Sequence, residues 1–266
     1  MMKMMNASNA GATGTGSTAR AGAPSFQPLY QQIKHLILQS LQQGEWKPAE
    51  IIPSETELAA RFGVSQGTVR KAIDELAAEH LLVRRQGRGT FVATHAERHV
   101  RYRFLRLIPD SSDSDQAETN PPPKKEIMEC RHAPASAEVA QALGLRAGDD
   151  VIQARRVLSF GSTPTIMEDL WLPGAAFRDL TAQRLAAYSG SMYAFFESEF
   201  GVRMVQADEK IRAVLPNQQQ AALLQVSAFT PLLSVERIAF TYGNQPMELR
   251  QGLYRTDACH YYNHLS

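Results

Sequence analysis

The chain has 266 residues, a formal charge of +1, 44% hydrophobic residues and 21% charged residues, a profile that suits a soluble globular protein with room for two cores. No segment approaches the ~20 consecutive apolar residues that span a bilayer as a helix. The first two dozen residues lack the apolar centre of a signal peptide, and near-neutrality means that any nucleic-acid footprint must be local. A cytoplasmic location without membrane contact is therefore expected. Cys130 and Cys259 stand far apart without CxxC spacing, and are expected to be separate thiols with no metal or other cofactor between them.

Residues 1–25, largely Met, Asn, Ala, Gly, Thr and Ser, read as a disordered tail. From Pro28, the residues Leu29, Ile33, Leu36, Ile37 and Leu41 share one helical stripe that Gly44 closes. Pro48 to Pro53 reads as a short extended segment. Ser54 and Glu57 then form a capping box with Leu58 and Phe62 on the buried side, which predicts a helix that Gly63 stops. Ser65 caps a second helix whose Val69, Ala72, Ile73 and Leu76 fall on one face. Its opposite face carries Gln66, Thr68, Arg70 and Lys71 near the N-terminus, where a major-groove helix meets base edges. Asp74, Glu75 and Glu79 follow, and are expected to point away from phosphate.

Leu81 to Arg85 and Thr90 to Ala93 read as two strands flanking Gln86, Gly87, Arg88 and Gly89. Two helices, a tight turn and a basic glycine hairpin outline a winged helix-turn-helix over residues 26–95. A helix pair with a solvated basic face is the plainer alternative; the hairpin directly after it favours DNA. The expected DNA contacts are Ser54, Thr56, Ser65, Gln66, Gly67, Thr68, Arg70 and Lys71, with Arg85, Gly87, Arg88, Gly89 and Thr90 from the wing.

Residues 96–123 read as a linker and exposed loop. Arg98, Arg101, Arg103 and Arg106 alternate with apolar residues in its first part, while the later part is acidic and proline-rich. From Lys124, strands alternate with helices. Helices are expected at Ser136–Leu143, Ser191–Phe200 and Asn217–Leu224. Strands are expected at Val151–Phe160, Thr165–Leu172, Arg203–Leu215, Leu232–Tyr242 and Met247–Thr256. Adjacent strands joined by tight turns predict an antiparallel sheet with packed helices over residues 124–266, and an α+β chain as a whole. His260 and His264 have the spacing of two ligands on a helix, but with no acid or thiol cluster beside them they read as surface histidines.

The segment PSETELAARFGVSQGTVRKAIDELAAEHLLVRRQGRGTF closely resembles the N-terminal domain of GntR-family bacterial transcription regulators, down to the TVRKA helix and the GRGTF wing. The second half resembles the UTRA effector domain of the histidine-utilisation repressor (HutC) subfamily. The matching stretches are ARRV from Ala154, PTIMEDLWLP from Pro164, Ser191-Met-Tyr193, Phe200-Gly-Val202, LLSVER from Leu232, Pro246-Met-Glu248 and Tyr254-Arg255. Two positions depart from the pattern. Thr56 stands where many members carry a base-reading arginine, and Lys124 and Lys125 stand where sugar-phosphate-sensing relatives often show serine.

The resemblance implies a chorismate-lyase-like sheet domain that holds a small polar or anionic effector through Arg156, Glu168, Ser191, Tyr193, Glu248 and Tyr254. An arginine fork and a helix start both suit an anion. A cross-strand ion pair between Arg156 and Glu168, an N-cap at Ser191 and core aromatics at Tyr193 and Tyr254 fit the same residues equally well, and Glu236 and Arg237 read as structural. The expected function is a metabolite-responsive repressor that binds double-stranded operator DNA as a homodimer. An enzyme of chorismate-lyase-like fold and a ligand-independent DNA-binding protein remain as alternatives. No phosphate-binding glycine loop or nucleophile elbow is present, and no catalytic residue is assigned.

Overall fold

A computed structural model describes residues 27–95, 107–110 and 123–262. The first part contains α1 (Leu29–Gln42), α2 (Glu55–Phe62), α3 (Gln66–Ala78), β1 (Leu82–Arg85) and β2 (Gly89–Val92). The local signals act as read. Ser54 accepts from the Glu57 amide while Glu57 reaches back to the cap, Gly63 takes a left-handed conformation, and the Ser65 side chain accepts from the Thr68 amide. These bonds satisfy orphan amides at two successive helix starts, each typically worth about 1 kcal/mol. Ile33, Ile37 and Leu41 of α1 pack on Leu58, Val69, Ile73 and Leu76, and β1 and β2 close the core with Leu82 and Val92.

The α1 stripe is narrower than its sequence suggests, because Leu29 and Leu36 are exposed. The Pro48–Pro53 segment joins the wing. Ile51 bridges Phe91, the Ile52 amide donates to the Thr90 carbonyl, and the Val92 amide donates to the Glu50 carbonyl.

The second part holds β4 (Lys124–Pro134), α4 (Ala137–Leu143), β5 (Asp150–Phe160), β6 (Thr163–Pro173), α5 (Ala182–Ala187), α6 (Met192–Phe200), β7 (Gln206–Val214), α7 (Gln218–Leu224), β8 (Leu232–Thr241) and β9 (Gln245–Arg255). Its six strands form one antiparallel sheet in the order β4-β5-β6-β9-β8-β7. A separate short ribbon pairs β3 (Leu107–Pro109) with β10 (Cys259–Tyr261).

Strand alternation sends side chains to two covered faces. On one face, Ile152, Ala154, Leu170 and Leu172 meet Phe177, Phe195 and Phe196 beneath α6. Further along the same face, Leu158, Ile166, Val235 and Tyr254 meet Leu107 and Cys259 of the ribbon. On the other face, α4 covers Val151 and Leu249, and α7 covers Val157 and Met167. The first face is therefore capped at both ends, and its middle is where charged side chains collect.

Two expectations are corrected. The β5–β6 hairpin pairs as far as Phe160 and Thr163, so only Gly161 and Ser162 form the turn. Strand β7 starts at Gln206, because Arg203 turns toward the first domain and bonds its backbone. His260, read as a surface histidine, is exposed on β10 with Nδ1 2.8 Å from Asp110 Oδ1. His264 and the Arg98–Arg106 stretch lie outside the described residues. Among the described residues no cluster suits a metal ion. Cys130 and Cys259 are separate thiols, and burial pushes both up from the usual thiol range.

Candidate nucleic-acid interface and candidate effector site

The start of α2, helix α3 and the wing border a cleft of about 810 Å³ lined by Ser54, Thr56, Gln66, Arg85, Gly87 and Thr90 among others. Ser65, Gly67, Arg70, Lys71, Arg88 and Gly89 are exposed beside it, and Thr68 is half-buried. The wing turn needs left-handed backbone at Gly87 (φ 69°) and Gly89 (φ 105°), and a Cβ on Gly89 would stand 2.9 Å from Ile51 Cδ1. This geometry explains why the arginine-bearing loop is bounded by glycine.

Glu55 organises the basic residues. Its Oε2 accepts from Arg70 Nε at 2.9 Å and Gln66 Nε2 at 3.3 Å, and its Oε1 accepts from Arg84 at 2.9 Å. The Arg70 bond holds the Glu55 carboxyl below its ordinary value against partial burial. Lys71 lies 3.9 Å over the Tyr30 ring, and Arg85 4.6 Å over Phe91.

The three acids further along, Asp74 and Glu75 on α3 and Glu79 at its C-cap, have partners of their own. Asp74 accepts from Arg84 of the wing at 2.7 Å, while Glu75 and Glu79 pair with Lys34 on α1. Asp74 thus joins the wing to α3, a role that its position in the sequence did not suggest.

In the second domain the register aligns Arg156 with Glu168, Glu168 with Gly252, and Arg250 with Arg237 and then Glu209 across five strands. Arg156 Nη2 lies 2.6 Å from Glu168 Oε2. The other Glu168 oxygen accepts from Arg250 at 3.1 Å and from the Tyr254 hydroxyl at 3.2 Å. Arg250 also donates to Glu248 at 2.5 Å and stands 5.4 Å over the Tyr193 ring. Arg237 pairs with Glu209, which also accepts from Tyr261.

Glu168 and Glu248 are fully buried. Burial alone would raise the Glu168 carboxyl, but Arg156 and Arg250 outweigh it and bring the group to about 2. Burial raises both Tyr193 and Tyr254, helped by the nearby carboxylates. Gly252 makes room for the Tyr254 ring, which a Cβ would meet at 2.4 Å. At the rim, Lys125 donates to the Tyr188 carbonyl, and burial together with the Arg156 charge lowers its pKa.

Of the six sequence-predicted effector residues, Arg156, Glu168, Tyr193, Glu248 and Tyr254 share this cluster. Ser191 caps α6, accepting from the Ala194 amide at 3.2 Å. Arg250, Glu209 and Tyr261 were not anticipated, and Arg237, read as structural, lies within the cluster at 2% exposure. The alternation Glu248, Arg250, Gly252, Tyr254 on one face of β9 is the sequence signal that could have added Arg250.

Residues 120–260 match the family described as the UTRA domain, and residues 29–92 match bacterial regulatory proteins of the gntR family. The chain is similar to the mannosyl-D-glycerate transport/metabolism system repressor MngR of Escherichia coli, at 29% identity over 87% of this chain and 93% of the relative. It is also similar to the histidine utilization repressor of Pseudomonas putida, at 28% identity over 83% and 85%. A crystal structure of the ligand-binding domain ascribed to a GntR-family transcriptional regulator from Bordetella bronchiseptica aligns with TM-score 0.58 and 51% identity, over 63% of this chain and all of that one.

Proposed function

The chain belongs to the gntR family of bacterial regulatory proteins and carries a UTRA domain, and from that premise we propose that it is a cytoplasmic homodimeric repressor whose operator binding is relieved by a small polar or anionic metabolite. The observation that carries the effector half is the buried cluster. Three arginines and three carboxylates in the middle of a sheet face cost desolvation that an apolar core would avoid. Such groups are kept where a polar ligand is recognised.

The Arg70 face and the glycine wing are the surfaces offered to DNA, the helix for base edges and the wing for phosphate. A single recognition helix covers one half-site, so two chains set about 34–36 Å apart would be needed for tight binding. The protein acts by binding and not by turnover.

The test is a titration of full-length protein against the DNA upstream of its own and neighbouring genes, with and without a panel of small carboxylates, amino acids and sugar phosphates. Two-half-site footprints and release by one compound class, recovered unchanged, are expected. A monomer in sedimentation at micromolar concentration with single half-site footprints would overturn the dimer. Conversion of the releasing compound would favour the enzyme.

A further inference from the structure

Helix α6 touches both the charge cluster and the segment that leaves the wing. Tyr193 lies against the cluster under Arg250 and beside Arg237 and Glu248. One turn later on the same helix face, Glu197 Oε2 accepts from the Thr94 hydroxyl at 2.6 Å and from the His95 amide at 2.8 Å, where the chain leaves the wing. The His95 ring packs 5.6 Å from the Tyr193 ring, and its Nε2 is 2.7 Å from the Met204 carbonyl oxygen.

The other Glu197 oxygen lies 3.4 Å from Arg203 Nε. Arg203 in turn donates to the carbonyls of His80 at 3.0 Å and Leu81 at 3.3 Å, just past the carboxyl end of the recognition helix, and to the Tyr242 hydroxyl at 2.8 Å. A cation at that helix end also complements its dipole. Thr94, His95, Glu197 and Arg203 are all buried.

The cluster is filled by its own side chains, with Glu168 and Glu248 wholly shielded. A ligand that contacts them must move a covering element, and on the first face of the sheet Tyr193 of α6 is that cover. We propose that α6 is the coupling element of this regulator: displacing Tyr193 from the charge cluster shifts Glu197 and releases the Thr94, His95 and Arg203 contacts that hold the winged helix. This inference rests on the reading of the cluster as the effector site and adds how its occupancy reaches the DNA-binding domain. Linkage makes the coupling reciprocal, so loosening the dock must also loosen the cluster.

The experiment is amide hydrogen exchange on the full chain, without DNA or effector, so that it can fail while the regulator reading stands. Tyr193→Leu is expected to speed exchange of the His80–Leu81 and His95 amides on the order of tenfold, and Thr94→Val to speed exchange in β9 around Glu248–Gly252 by a similar factor. Asp169→Asn, which breaks the Arg155 pair on the opposite face, is expected to change neither. If Tyr193→Leu does not fold, Thr94→Val and Glu197→Gln carry the test from the other end. Loosening that stays within the mutated site in either direction, or an equal response to Asp169→Asn, would overturn the proposal.

Discussion

Glu55 and Arg70 meet at 2.9 Å, an acid at the start of α2 holding the arginine of the recognition helix. Arg70 is therefore oriented before DNA arrives, and it must keep or trade this partner when it does. Arg70→Ala is expected to cost about 1–3 kcal/mol on the operator if the arginine reads a guanine. Glu55→Gln is expected to tighten random duplex while narrowing the operator preference, since it removes a negative charge and an orienting bond together. Anisotropy titrations on operator and scrambled duplex check both, and equal loss on the two duplexes for Arg70→Ala would reduce that residue to a phosphate contact.

The wing gives a sharper contrast. At Gly87 no atom stands within 4 Å of an added Cβ, so Gly87→Val is strained only by its φ of 69°, a cost of about 1–2 kcal/mol. At Gly89 the same change also meets Ile51, so the melting temperature should fall further. Arg88→Ala should leave the melt unchanged and reduce the salt slope of binding by about 1. A salt slope that does not move would take the wing arginine off the duplex.

Acid should act on the effector domain through Glu168. Its carboxyl sits at about 2 in the fold against 4.5 for the free group. A lowered carboxyl contributes stability that is whole above 4.5 and lost as pH falls toward 2, on the order of 3 kcal/mol. Glu197 runs the other way, because burial raises it and protonation relieves the cost of its charge. Comparing unfolding free energies of the wild type and Glu168→Gln across that window isolates the first effect. Parallel curves would remove it.

Arg156→Ala should keep operator binding and dimerisation but abolish release by effector, since Glu168 retains Arg250 and Tyr254 as partners while the rim loses its arginine. In cells that is a superrepressor. A variant released at the same effector concentration as the wild type would make Arg156 an ordinary strand residue.

The winged helix was legible because its signals are local: caps three residues from the groups they satisfy, and glycines at the positions that turn. Strand β4 was not, because KKEIMECRHAP on a sheet edge is mostly exposed and half-exposed and offers no apolar run. The start of β7 was misplaced because Arg203 answers to carbonyls more than a hundred residues away. The cluster was half-read for the same reason. Arg156, Glu168 and Tyr254 sit in stretches that resemble a family pattern, whereas Arg250, Arg237 and Glu209 meet only once three strands have settled their register, which no single stretch of sequence specifies.

Arg203 grips the first domain through main-chain carbonyls at His80 and Leu81, atoms that every sequence possesses. The hold on the recognition helix is thus indifferent to the side chains that face DNA. Operator preference can drift residue by residue along α3 without disturbing the seat on which that helix rests, and one sensing domain can serve many DNA addresses.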